Sequence, residues 1–83
     1  MSEDIYTIVS PLSGTMYRRP SPDEPCFAEE GDEVKEGDVV CIVESMKVFN
    51  DIRAEYPGTI KKFLAENEDA LMIHQPLVEV IKK

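Results

Sequence analysis

The sequence predicts an all-β domain of the sandwich or barrel type, because short apolar runs alternate with turn-forming residues and the chain repeats itself. Five runs of alternating or clustered apolar residues have strand length rather than helix length. They are residues 5–9, 39–43, 48–52, 59–64 and 77–81. Glycine and proline stand between most of them. Many short strands at close spacing are typical of a sandwich or barrel.

The repeat becomes visible when the two halves of the chain are superimposed. Gly14-Thr15-Met16 matches Gly58-Thr59-Ile60 at an offset of 44 residues, and Val34 matches Leu71 at an offset of 37. Neither half could bury its apolar face alone. We therefore expect a pseudo-twofold structure in which each half supplies strands to both sheets.

The change of offset places seven extra residues between Met16 and Gly31, in a loop at about 18–26. Pro20, Pro22 and Pro25 fix their backbone φ angles and exclude a central strand there. The insertion is thus expected to be a stiff loop that projects from the body. A tolerated loop extension without function is the alternative, since loops accept insertions readily.

Length, charge and cysteine content exclude several functions. With 83 residues, the chain forms a single domain (1–83) with little room for a deep catalytic cavity. Its formal charge of −8 disfavours nucleic acid and membrane surfaces as partners. Cys26 and Cys41 suit neither a zinc site nor a disulfide framework, so we expect free thiols in a cytoplasmic protein, with Cys41 in the core. The lone His74 is expected on the surface without a role.

The segment that joins the two halves is the candidate functional site. Strands are predicted on both sides of Met46-Lys47, which leaves this pair as a two-residue hairpin turn. Such a turn requires positive φ at both residues, and asparagine or glycine usually meets that requirement. Methionine and lysine would be strained there, and strain persists where function requires it. A lysine at a loop tip is usually only solvated, but the exposed methionine beside it is unusual.

From Ile8 to Ile81 the chain resembles the biotinyl domain of the biotin carboxyl carrier protein family, the carrier of bacterial-type acetyl-CoA carboxylase. Residues 10–18 look like the first strand of that family and residues 20–23 like its protruding thumb. Further matching segments are 30–34, 37–44, 50–52, 58–60 and 75–78. The resemblance implies the biotinyl/lipoyl hammerhead, a flattened barrel or sandwich of two antiparallel four-stranded sheets with pseudo-twofold symmetry and a thumb.

The acceptor motif of the family is Ala-Met-Lys-Met, and Lys47 occupies the position of the lysine that is biotinylated. Met46 matches the preceding methionine, whereas Ser45 replaces alanine and Val48 replaces the second methionine. The second change matters because the methionines help the biotin ligase to recognise its target. Glu44, just before the motif, completes the implied cofactor site.

The resemblance also implies a function in fatty acid synthesis. A biotin protein ligase would attach biotin to Lys47, and the carrier would take a carboxyl group from the biotin carboxylase subunit to the carboxyltransferase subunit. The chain would then be a non-catalytic carrier. The implied thumb contacts to biotin or a partner are Arg18, Pro20, Ser21, Pro22 and Asp23, with Arg18 nearest.

Two alternatives remain open at this point. A lipoyl domain shares the fold, but its lysine is usually preceded by aspartate and it lacks the prolyl thumb. An unmodified biotinyl-like interaction module is kept open by Val48. Catalysis by this chain alone is disfavoured, because no catalytic triad, metal-ligand or phosphate-loop spacing occurs.

One further departure affects the second half, where Asn67-Glu68-Asp69 replaces a glycine-containing turn. The repeat sets Glu68 opposite Gly31 and His74 opposite Gly37. We expect either that Asn67 adopts the positive φ or that the hairpin is remodelled.

Overall fold

The computed structural model describes residues 4–83, and within that range it contains eight β-strands and no helix. In chain order the strands are β1 (Ile5–Val9), β2 (Gly14–Tyr17), β3 (Glu33–Val34), β4 (Val39–Ser45), β5 (Val48–Arg53), β6 (Gly58–Phe63), β7 (Ala70–Leu71) and β8 (Pro76–Lys82). The five predicted runs correspond to β1, β4, β5, β6 and β8.

The strands form two antiparallel four-stranded sheets with orders β1-β8-β6-β3 and β5-β4-β2-β7. Replacing each strand of the first sheet by its equivalent in the other half of the chain gives the order of the second sheet. Each half therefore contributes two strands to each sheet. The predicted all-β architecture with pseudo-twofold symmetry is confirmed.

Backbone hydrogen bonds between the halves follow the same symmetry. The Met16 amide donates to the Asp69 carbonyl at 2.9 Å, and the equivalent Ile60 amide donates to the Asp32 carbonyl at 2.8 Å. In each half, β2 or its equivalent β6 thus binds a turn that belongs to the other half. The two offsets found in the sequence have a direct structural counterpart in these bonds.

The core lies between the sheets and is contributed by both halves. The central strands β4 and β8 each supply three fully buried side chains, which are Val40, Cys41 and Val43 in β4 and Leu77, Val78 and Val80 in β8. These sets match at the offset of 37 residues. Cys41 is in the core, as expected from the sequence.

Residues 10–18 do not form the first strand, contrary to the resemblance. Their strand portion, Gly14–Tyr17, is β2, because Ile5–Val9 already pairs with the last strand along its whole length. The buried Ser10 donates its hydroxyl to the Leu12 carbonyl at 2.6 Å, which fixes the connection between β1 and β2.

The expectation for the turn at Asn67 is also wrong, because Glu68 itself takes the left-handed conformation with φ 71°. His74 does the same with φ 69°, so both residues reproduce the conformation of Gly31 and Gly37 at the equivalent positions. The Asp69 carboxylate accepts a hydrogen bond from the Glu66 amide at 2.8 Å. The equivalent Asp32 carboxylate accepts one from the Glu29 amide at 2.9 Å. The hydrogen bond to the Asp69 carboxylate therefore maintains the same turn geometry in the second half, although no glycine is present there.

We predict that Gly58→Ala strongly destabilises the domain. A Cβ atom at this position would lie 2.2 Å from the Ile81 carbonyl oxygen, so the central strand β8 would have to move. Overpacking of this kind costs about 1–3 kcal/mol. The free energy of unfolding in urea measures the loss. Lys62→Ala, an exposed change in the same strand, is the control and should stay within about 0.5 kcal/mol. Equal stability of both variants would contradict the close approach of β6 and β8.

Candidate attachment site at the hairpin tip

The turn between β4 and β5 joins the two halves of the chain. Ser45 and Val48 are paired residues of the two strands, so Met46 and Lys47 alone form the turn. Their φ angles are 53° and 66°. These values are those of a type I′ turn, in which both central residues have positive φ. The two-residue turn and its strained backbone are confirmed.

Side chains at this tip point into solvent. Met46 is 93% exposed, and Val48 and Phe49 are also exposed. Lys47 is exposed, and within residues 4–83 its side chain makes no hydrogen bond or salt bridge. The amine is thus available for a covalent bond without the loss of an existing contact.

Contacts farther down the hairpin keep the tip in register. The Asn50 side-chain amide donates to the Val43 carbonyl at 3.3 Å. Tyr17 of β2 donates its hydroxyl to Glu44 Oε1 at 3.3 Å. Partial burial and then the Glu44 carboxylate raise the pKa of Tyr17, so the phenol remains protonated and able to donate. Glu44 therefore fixes the base of the hairpin to the neighbouring strand.

The inserted loop stands beside this sheet as a thumb, residues 18–27. Its base is closed by a hydrogen bond from the Phe27 amide to the Arg18 carbonyl at 2.8 Å. Its tip is a turn in which the Glu24 amide donates to the Ser21 carbonyl at 3.1 Å and Ser21 Oγ donates to Glu24 Oε2 at 3.0 Å. The thumb is thus ordered by its own bonds as well as by its prolines.

Arg18 connects the thumb to the body of the domain. Its guanidinium lies 3.9 Å from the Phe63 ring centroid and donates to the Ala28 carbonyl at 3.3 Å. Glu29 lies 3.6 Å away as an ionic partner, and only 22% of the Arg18 side chain is exposed. The expectation that Arg18 is the thumb residue nearest to the cofactor stays a prediction, but its charged group faces the body.

A groove of about 470 Å³ separates the thumb from the outer face of the sheet. The thumb wall is formed by Arg19, Pro20, Ser21 and Pro22, and the body wall by Tyr17, Ile42, Phe49, Asn67 and Glu68. Three of the predicted thumb residues thus line the groove, whereas Asp23 is exposed outside it.

Sequence reasoning missed the body wall of the groove. One signal was available, because Ile42 and Phe49 are apolar at strand positions that do not belong to the buried core. Within residues 4–83 there is no group of side chains that could hold a metal ion. No helix in the described part of the chain is long and apolar enough to cross a membrane.

Fold and site together define a carrier domain, a protein class that presents one side chain on an exposed hairpin turn. The family model described as "Biotin-requiring enzyme" matches residues 6–80. The chain belongs to this family.

Curated relatives agree over most of the chain. It is 48% identical over 68 residues to the chloroplastic biotin carboxyl carrier protein of acetyl-CoA carboxylase of Glycine max, which covers 82% of this chain and 26% of that protein. It is 47% identical over 72 residues to the corresponding protein of Pseudomonas aeruginosa, with 87% and 46% covered. The chain thus spans less than half the length of these relatives.

Solved structures share the fold. The urea carboxylase of Kluyveromyces lactis superimposes with a TM-score of 0.80 at 25% identity, covering 98% of this chain and 6% of that chain. A single-chain, multi-domain long-chain acyl-CoA carboxylase gives a TM-score of 0.83 at 17% identity, with 100% and 8% covered. In both proteins the matching region is a small part of a much longer chain.

We predict that alkylation of the native protein at pH 8 modifies Cys26 and spares Cys41. Both thiols are free. Burial raises the pKa of Cys41 to about 12, against a smaller opposing effect of Arg18. A raised pKa keeps the thiol protonated at pH 8, and the thiolate is the reactive form. Iodoacetamide should therefore add one group to the native chain and two after denaturation, as measured by intact mass. Cys26→Ser is the control and should remain unmodified when native, whereas rapid modification of that variant would contradict a closed core.

Proposed function

We propose that this chain is the biotin carboxyl carrier of an acetyl-CoA carboxylase, with biotin attached through an amide to Lys47. The observation that carries the proposal is an exposed lysine, without a side-chain partner among residues 4–83, on a strained turn in a member of a biotin-requiring family. The names of the relatives in Glycine max and Pseudomonas aeruginosa support the same activity. A cytoplasmic location stays a prediction, since several relatives are named chloroplastic.

The residues at the tip suit the attachment of biotin. An amide bond requires one accessible amine, and the Lys47 side chain is exposed with no partner in the described part of the chain. A free lysine has a pKa of about 10.4, so a biotin protein ligase has to remove the proton before the amine attacks activated biotin. Met46 and Val48, exposed on either side, would contact that ligase.

Bound biotin supplies the carboxyl-transfer chemistry, and this chain supplies attachment and orientation. The antiparallel pairing of β4 and β5 continues up to Ser45 and Val48 and fixes the position of the turn. Tethering raises the local concentration of the cofactor at both active sites to roughly the millimolar range. The domain would move between biotin carboxylase and carboxyltransferase by transient docking, consistent with a small, highly charged body.

The thumb would act on the same cofactor from the side. Pro20, Ser21 and Pro22 face Tyr17 and Phe49 across the groove, next to the hairpin that carries Lys47. Apolar and aromatic walls suit a partly apolar ring system. Arg18 would hold the thumb at its base, and the exposed Asp23 would be available to a partner enzyme.

Incubation with biotin, ATP and a biotin ligase is predicted to add one biotinyl group at Lys47. Lys47→Arg keeps the charge but removes the primary amine, so no gain in intact mass is expected. Lys62→Arg is the matched control and should be modified as fully as the parent. No gain in the parent would favour an unmodified interaction module, and a gain only with lipoate and its ligase would favour a lipoyl domain.

Deletion of residues 20–25 is predicted to leave the fold intact and to slow carboxyl transfer severalfold. The bond between Phe27 and Arg18 that closes the thumb lies outside the deletion, whereas the proline wall of the groove is lost. Urea unfolding and transfer from the biotinylated domain to acetyl-CoA measure the two effects. A six-residue Gly/Ser loop in place of 20–25 restores length without the wall and should be equally slow. An unfolded deletion variant would instead make the thumb a structural element.

A further inference from the structure

The turn that follows β7 carries two exposed apolar side chains. Met72 is 73% exposed and Ile73 is 53% exposed. Single exposed apolar residues are common on protein surfaces and need no explanation. An adjacent pair such as Met72 and Ile73 indicates a binding surface only if its position in the fold supports one.

The sheet register places this turn beside Lys47. Ala70 of β7, Thr15 of β2 and Glu44 of β4 form one row across the sheet. Strands β4 and β7 run in the same direction, because both are antiparallel to β2. Met46 and Met72 are each the second residue beyond that row. Since one strand separates them and neighbouring strands are about 4.8 Å apart, the two turns leave the sheet about 10 Å from each other.

The backbone of this turn is held firmly. The Met72 amide donates to Gln75 Oε1 at 3.0 Å, and the Ile73 amide donates to Ser13 Oγ at 3.2 Å. The His74 amide donates to the Ser10 carbonyl at 2.7 Å. Met72 and Ile73 therefore form a fixed part of the surface at the end of the domain that carries Lys47.

The internal repeat shows what the turn itself requires. The equivalent positions after β3 are Lys35 and Glu36, in a turn where the Lys35 amide donates to Asp38 Oδ2 at 2.9 Å. That copy lies near the end of β8 instead of the Lys47 hairpin, and there Glu33 and Lys83 form an ion pair at 2.9 Å. The same turn thus forms with two charged residues, so folding does not explain the apolar pair beside Lys47.

We propose that Met46, Val48, Met72 and Ile73 form one docking surface, the apolar end surface, for the biotin ligase that acylates Lys47. The inference rests on the proposed function. A lysine side chain reaches only about 6 Å from its Cα atom, so a ligase that receives the Lys47 amine has to cover the neighbouring turn as well. Enzymes that act on attached biotin meet it at the far end of a longer arm and need less of this surface.

The test is the initial rate of biotinylation of the unmodified domain at increasing concentration, with biotin, ATP and a biotin ligase. The double variant Met72→Lys/Ile73→Glu copies the charged turn at 35–36. It should raise KM about tenfold or more, with kcat little changed. The control Lys35→Ala/Glu36→Ala should behave as the parent. An unchanged thermal midpoint shows that each variant is folded, and Ile73→Thr gives a milder change of the same sign.

Three results would overturn the inference. Biotinylation of the parent with an unchanged KM for the double variant would refute the docking surface while leaving the proposed function intact. An equal rise of KM when the biotinylated variant is the substrate of biotin carboxylase would refute a surface dedicated to the ligase. Failure of the parent to accept biotin at all would refute the proposed function, and the inference would fall with it.

Discussion

The structure depends on a core that neither half of the chain can form alone. The central strands β4 and β8 come from different halves and belong to different sheets, yet each buries three side chains completely. Burial of apolar area is the main favourable contribution to folding, so the halves are stable only together. The chain has to pass from one half to the other without interrupting the core. The shortest passage is the two-residue turn at Met46-Lys47, which lies in solvent beyond the last paired residues of β4 and β5.

Strong local patterns in the sequence predict much of this arrangement. Five strands are long enough to show periodicity, and the repeat offsets predict the pseudo-twofold axis before any strand pairing is known. Strands β3 and β7 are not predictable in this way, because each has two residues and only one buried side chain, Val34 or Leu71. The body wall of the groove is only weakly signalled in the sequence, by the apolar residues Ile42 and Phe49 at strand positions outside the core. It exists only because the thumb folds back over Tyr17 and Phe49, which are far apart in the chain.

The turns at Glu68 and His74 show why residue type alone misled the sequence analysis. Glycine at Gly31 and Gly37 suggested that left-handed backbone requires glycine. In the second half, the carboxylate of Asp69 and the amide oxygen of Gln75 close the turns from within, as Asp32 and Asp38 do in the first half. A non-glycine residue with positive φ costs of order 1 kcal/mol, which these bonds and the shared strand register offset. The polar residue that follows the positive-φ position therefore predicts these turns better than glycine does.

At the base of the thumb, Arg18 has a structural role, whereas the prolines farther along the thumb line the groove. Arg18 Nε is buried without a hydrogen-bond partner in the described part of the chain, while the same guanidinium packs on Phe63 and its backbone amide donates to Asn67 Oδ1 at 2.8 Å. An arginine side chain buried to this extent is suited to fixing a position, since moving it would expose the Phe63 ring. Asn67 also lines the groove. The width of the groove is therefore set from the body of the domain, and the proline wall can face the Lys47 hairpin without being held by any cofactor.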